Sequence, residues 1–197
     1  MAITAELVKK LRDMTGAGML DCKNALVENN GDIEASVEYL RKKGIAKAAK
    51  KADRETKEGI VYSYIHHNEK VGVLLLLGCE TDFVAKTEDF HKLAKDIALQ
   101  IASMNPKFIS REKVPAELIE KEKEIFAEEM RASGKPDHVI EKIVSNKIES
   151  FYKDNCLLEQ EFALGDGETI QEMITAAVAK IGENIAVEKF ERYAIGQ

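Results

Sequence analysis

Tryptophan is absent from the 197 residues, and proline and cysteine occur three times each. Cys22, Cys79 and Cys156 are odd in number, far apart and without a Cys-x-x-Cys pair, which excludes a disulfide framework and a zinc site. They read instead as small buried apolar residues. No aliphatic stretch approaches the roughly 18 residues that a membrane span needs. Met1–Glu6 also lacks the basic-then-apolar pattern of an export signal, so a cytoplasmic protein without membrane contact is expected. Catalytic signatures are missing as well: there is no HExxH, no GxSxG and no P-loop. His66 and His67 are neighbours that a strand would send to opposite faces, which removes them as joint metal ligands; the lone His91 and His138 read as surface groups. The chain is therefore expected to act by binding and not as an enzyme, with no metal and no cofactor of its own.

What is present suits a globular protein. With 45% hydrophobic and 32% charged residues, the length fits one large domain or two small ones. Charge is uneven. Arg41, Lys42, Lys43, Lys47, Lys50, Lys51, Arg54 and Lys57 face only Asp53 and Glu55, a local net of +6 inside a chain of net −6. Two readings stand side by side. The segment tracks phosphates as an RNA- or ribosome-associated adaptor would, or it is a solvated helical linker, favoured by Ala46, Ala48, Ala49 and Ala52 and by the lack of base-stacking aromatics.

Before that segment, three short helices are expected. Thr4 caps the first, with Leu7, Val8, Leu11 and Met14 on one face and Gly16 beyond its end. A second starts near Gly18, carries Leu20, Ala25 and Leu26, and stops at Asn29-Asn30-Gly31; Asp32 caps a third, with Ile33, Val37 and Leu40, that ends at Gly44. The loop Thr15–Lys23 contains Gly-x-Gly but no preceding strand and no Gly-Lys-Ser/Thr ending, so it is not a nucleotide loop. Its Met19 and Leu20 either grip another protein, since Met adapts to irregular surfaces, or fill the bundle core.

Ile60–Ile65 and Val71–Cys79, parted by the polar His66–Lys70, predict an antiparallel hairpin. The aliphatic run Val71–Leu77 reads as a buried strand. It ends in Gly78-Cys79-Glu80, and Thr81-Asp82-Phe83-Val84 then stands at its mouth before the next helix: an acid beside an aromatic at an element end, suited to a partner contact, where Phe83 alone would more commonly be core. Phe90 to Met104 repeats at spacings of three and four, and Ile170 to Ile181 forms another amphipathic helix followed by Gly182 and a closing strand, Ile185–Ile195. Strands and helices without βαβ alternation predict an α+β fold, an antiparallel sheet with helices on one face. Two stripes, Leu118, Ile119, Ile125, Phe126, Met130 and Ile140, Val144, Ile148, Phe151, flank Ser133-Gly134-Lys135-Pro136 and predict a helical hairpin over about 115–153, either an exposed coiled-coil arm or a plain packed pair.

Taken in order, Thr15–Lys23, Gly31-Asp32-Ile33, Lys47-Ala-Ala-Lys-Lys51, Thr81–Lys86, Ser133–Pro136 and Lys180–Asn184 closely resemble the bacterial elongation factor Ts family, in a short form, over almost the whole chain. The resemblance implies a guanine-nucleotide exchange factor for elongation factor Tu, bound in its GDP and nucleotide-free forms, that promotes GDP release by disrupting the Mg²⁺ and phosphate site. It implies a ubiquitin-associated-type head over 1–44, a basic helical linker over 45–58, and an α+β dimerisation core over 59–197 that carries the arm. By the same resemblance Thr81, Asp82, Phe83 and Val84 dislodge the partner's Mg²⁺, Arg12, Met19 and Leu20 grip its nucleotide domain, and Ile181 and Gly182 contact it near the wedge. Only one of the two sheet subdomains of longer members is present, so a homodimer in a two-plus-two assembly is implied, with no direct nucleic-acid contact.

Overall fold

Helix ends are set by local chemistry. A computed structural model describes residues 3–196; the outermost positions of the expected 1–44 and 59–197 segments, residues 1, 2 and 197, lie outside the described residues. Thr4 accepts a hydrogen bond from Leu7 N (3.3 Å) and opens α1 (Ala5–Thr15). Gly16 closes it in a left-handed conformation, φ 65°, with its N–H on Arg12 O (2.7 Å). After α2 (Met19–Glu28), Asp32 Oδ1 accepts from Ala35 N (2.9 Å) and starts α3 (Ile33–Ala49).

The described residues go on through β1 (Glu58–Ile65), β2 (Val71–Cys79), α4 (Asp82–Ala85), α5 (Glu88–Met104), α6 (Ala116–Ala132), α7 (Asp137–Asn155), α8 (Ile170–Ile181) and β3 (Ile185–Ala194). The three strands make an antiparallel sheet in the order β1-β2-β3, so the aliphatic run occupies the central strand. The protein is α+β, as expected. In β2, however, Val73, Leu75 and Leu77 are buried while Leu74 and Leu76 are exposed: the run is buried on one face only, as an antiparallel sheet with helices on one side permits.

The chain divides into two compact units. The first comprises residues up to Tyr62, Leu75–Ala94 and Glu172–Glu188; the second comprises Ser63–Leu74, Lys95–Gln171 and the residues from Lys189.

In the first unit, Val8, Leu11, Cys22, Ala25, Leu26 and Leu40 form the core of the three-helix head. Ser36 Oγ ties α3 to α2 at Ala25 O (3.2 Å), and Lys43 and Lys47 both reach Asp21. Two expected core residues are displaced. Leu20 lies about 200° around the helix from Cys22, off the buried stripe, and Met14 sits in the last turn of α1; both are exposed. Gly44 does not end the third helix, which continues to Ala49. Its missing side chain serves packing instead: a Cβ there would lie 3.2 Å from the Ala179 Cβ of α8.

In the second unit α6 and α7 close their stripes on each other, with Ile119 and Ile148 buried alongside Val114 and Cys156 and flanked by Phe108, Phe126, Val144 and Phe151. Arg111 pairs with Glu159 (2.6 Å) and Glu149 (3.1 Å) and stacks on the Tyr152 ring at 4.7 Å. Buried Gln100 donates to Gln160 Oε1 and Glu161 O and accepts from Ala163 N. His66 and His67 lie past the end of β1, so strand alternation does not separate them; their rings meet edge to face at 4.2 Å, and Tyr64 Oη lies 3.0 Å from His66 Nδ1. Among the described residues no group of three potential ligands could hold a metal ion, and no helix is long and apolar enough to cross a membrane.

Overpacking at the Gly44–Ala179 contact is expected to cost about 1–3 kcal/mol. Urea denaturation of Gly44→Leu should therefore show a lower midpoint than the parent chain, and an unchanged midpoint would remove the packing role assigned to this glycine.

Candidate partner-binding site

The site forms where β2 runs out. Thr81 is extended, φ −130°, and caps α4 by accepting from Val84 N (3.4 Å). The four-residue helix it opens presents Phe83 to solvent with 80% of its surface exposed, while Ala85 points inward and is buried. Asp82 carries an ion pair with Lys86 one turn on (2.6 Å), and this lysine's hydrogen bond holds the Asp82 carboxyl below the usual carboxylate range. Thr87 Oγ1 donates to Val84 O (2.8 Å) and finishes the turn.

Opposite stands the junction of α8 and β3. Gly182 adopts φ 93° and donates its N–H to Val178 O (2.9 Å), a helix stop that only glycine makes without strain. Glu183 then spans the gap. Its Oε2 accepts from Thr81 N (3.0 Å) and Glu80 N (3.2 Å), and its Oε1 accepts from Thr81 Oγ1 (2.7 Å). Glu80 answers in the other direction: its Oε1 accepts from Asn184 N (2.6 Å). That amide is the foremost cause holding the Glu80 carboxyl below the usual carboxylate range, with Arg54, 3.3 Å from Oε2, adding to it. Asn184 Nδ2 donates to Arg54 O (2.7 Å) and Ala52 O (3.3 Å), and Lys51 Nζ donates to Gly182 O, so the basic stretch after α3 is bound to the same junction. Beneath the turn the Cys79 thiol, pushed up first by burial and then by the Glu183 carboxylate, donates to Thr81 O (3.1 Å).

The remaining residues expected to contact a partner lie in this first unit. Ile181 is half-buried and Gly182 exposed. On the head Arg12 is exposed, and Met19 and Leu20 are 48% and 71% exposed, against the alternative that they fill the bundle core. Lys180 connects these regions: a Cβ on Gly16 would lie 3.6 Å from its Cδ, and its Nζ pairs with Asp89 (2.7 Å). Most cations of the basic segment, for which phosphate tracking was the alternative to a solvated linker, are engaged by carboxylates of this chain. Arg41 pairs with Glu172, Lys42 with Glu38, Lys43 and Lys47 with Asp21, and Lys57 with Glu55. Reading the sequence missed Glu80, Glu183 and Asn184. Glu183 and Asn184 are marked in the sequence only as polar residues after a helix-stopping glycine, within the stretch that carries the family resemblance, and Glu80 only as an acid at the end of a strand.

The family model described as "Elongation factor TS" matches residues 6–197. The chain belongs to the elongation factor Ts family. It is 66% identical over 197 residues to elongation factor Ts of Petrotoga mobilis, with all of both chains covered, and 63% identical to that of Fervidobacterium nodosum, again with all of both chains covered. The factor of Thermotoga neapolitana is 53% identical over 197 residues, covering 100% of this chain and 99% of that one. The family is that of the nucleotide exchange factor for elongation factor Tu in translation elongation.

Acid should weaken the hold of the Glu80 carboxylate. Glu80 releases its proton more readily in the folded chain than its ordinary value of 4.5 allows, so its contribution is full above that value and fades as pH falls below it. Stability measured by urea denaturation between about pH 3 and 6 should rise with pH, and Glu80→Gln should flatten that rise. A slope identical in the two proteins would exclude this role for Glu80.

Proposed function

We propose that the chain accelerates GDP release from elongation factor Tu in the cytoplasm by wedging Phe83 into the GTPase and disturbing its Mg²⁺ and phosphate site. A GTPase holds GDP through a phosphate-cradling loop and Mg²⁺, so release is slow unless a partner binds the nucleotide-free form more tightly. An acceleration of about 10⁴-fold requires a barrier lower by roughly 5.5 kcal/mol. The single observation that carries this reading is a large aromatic ring left in water on a four-residue helix that is anchored at its start. Burying such a ring in a fitted pocket supplies about 2 kcal/mol or more, and displaced charges near the metal supply the remainder. Asp82 is the charged element, Thr81 and Val84 shape the turn, Ile181 and Gly182 touch the GTPase beside it, and Arg12, Met19 and Leu20 grip its nucleotide domain. The engagement of the basic segment by its own carboxylates favours a protein partner over RNA.

A homodimer in a two-plus-two complex extends this reading. Its support is apolar surface in the second unit: Ile65, Leu74 and Tyr193 are exposed strand residues, a pattern that a second copy would cover.

Stopped-flow release of a fluorescent GDP from elongation factor Tu tests the wedge. Phe83→Ala should lower the second-order rate constant roughly 30-fold, the equivalent of a hot spot of about 2 kcal/mol, with unchanged circular dichroism; undiminished exchange by the folded variant would refute it. Equilibrium sedimentation at micromolar concentration should give a dimer for the parent chain and a monomer for Leu74→Asp. A parent chain that sediments as monomer would remove the two-plus-two assembly.

A further inference from the structure

The Phe83 ring is 80% exposed, so its orientation follows that of the turn that carries it. Its helix, Asp82–Ala85, is a single turn, and a lone turn is unstable because nucleation fixes several residues for one hydrogen bond. The turn is held at its end by the Thr87 hydroxyl and the Asp82–Lys86 pair and at its start by the Thr81 cap, and what fixes Thr81 is Glu183, through both its N–H and its hydroxyl. The same carboxylate takes the N–H of Glu80, so the last backbone donors between β2 and α4 converge on one side chain that follows the Ile181–Gly182 turn. Through that side chain the Thr81–Val84 segment is joined directly to the turn.

We propose that Glu183 is a positioning residue for nucleotide exchange, acting through Thr81 to hold Phe83 in the orientation that enters the GTPase. This rests on the reading of Phe83 as the wedge. Without the carboxylate, the two amides and the hydroxyl turn to water and the single turn samples other conformations. Only the fraction of molecules with the ring correctly aimed then docks, and the apparent dissociation constant rises by the inverse of that fraction. Once docked, the partner imposes the same geometry as before. The loss therefore falls on half-saturation and spares the maximal rate, a division that general destabilisation of the fold would not produce.

The test is fluorescent-GDP release from elongation factor Tu as a function of factor concentration, for the parent chain, Glu183→Ala, Glu183→Gln, Phe83→Ala and the double variant Glu183→Ala/Phe83→Ala. Glu183→Ala should raise the half-saturating concentration about tenfold and leave the maximal rate within about twofold. Glu183→Gln keeps an acceptor for the two amides and should stay within about threefold of the parent. Added to Phe83→Ala, Glu183→Ala should change the half-saturating concentration by less than about twofold, because a residue that acts through the ring has nothing to position once the ring is gone. Any one of three results overturns the proposal: an unchanged Glu183→Ala, an equal loss from Glu183→Ala in the parent and in the Phe83→Ala background, or a Glu183→Gln variant as impaired as Glu183→Ala. If Glu183→Ala does not fold by circular dichroism, Thr81→Val replaces it. That variant removes at nearly constant shape the hydroxyl that joins Glu183 to the α4 cap, and it must show the same rise and the same dependence on Phe83. Full exchange by Phe83→Ala alone is a different failure: it removes the wedge itself, whereas a damaged Phe83→Ala beside an intact Glu183→Ala removes only the positioning role.

Discussion

Two carboxylates, Glu80 and Glu183, each take a backbone N–H from the other's segment, and the organisation of the first unit follows from that exchange. The end of a strand and the start of a helix both leave amide groups without regular partners. Ionised acceptors satisfy such groups more strongly than neutral ones, contributing roughly 1.5–3 kcal/mol each. Because the pairing runs both ways, neither junction can shift without breaking bonds of the other. Asn184 extends the arrangement to the main chain of Ala52 and Arg54, and Lys51 to the carbonyl of Gly182, so the stretch leading out of the three-helix head is fastened at the same point. A cluster that would be repulsive as two bare acids is stable because amide dipoles, a lysine and an arginine surround it.

Rigidity below and exposure above are complementary. A surface aromatic ring normally costs solubility and invites misassociation, and here it stands on a turn too short to persist without the anchor beneath it. The head follows a related rule. Gly44 gives up its side chain where α8 comes close, at Ala179, while Met19 and Leu20 stay on the outside. Bulk is removed where two elements of this chain meet and retained where the proposed partner would arrive.

Much of this was readable in advance, for reasons specific to each element. The hairpin, the helix from Glu88 to Met104 and the stop at Gly182 rest on periodicity and glycine geometry, which are local properties, and they fall within a few residues of expectation. The mouth of β2 stood out because an acid and an aromatic follow an aliphatic run. Other features were not local. Gly44 reads as a stop from its neighbours alone, and only Ala179, far along the chain, explains why the helix passes through it. Leu20 stays open between core and partner contact until the phase of Cys22, Ala25 and Leu26 is known. Glu183 was invisible for the same reason: a glutamate after a glycine carries no sign that its hydrogen-bond partners lie about a hundred positions earlier. The alternation in β2 was hidden by composition, since Leu faces both the interior and the solvent.

In the proposed docking, the pairing of Asp82 with Lys86 governs how the acid meets a GTPase. A carboxylate that already holds an ammonium group has part of its charge compensated, so a further cation adds less than it would to a bare acid. The charge then sets direction and selectivity, and the tightness of the embrace falls to the uncharged ring next door.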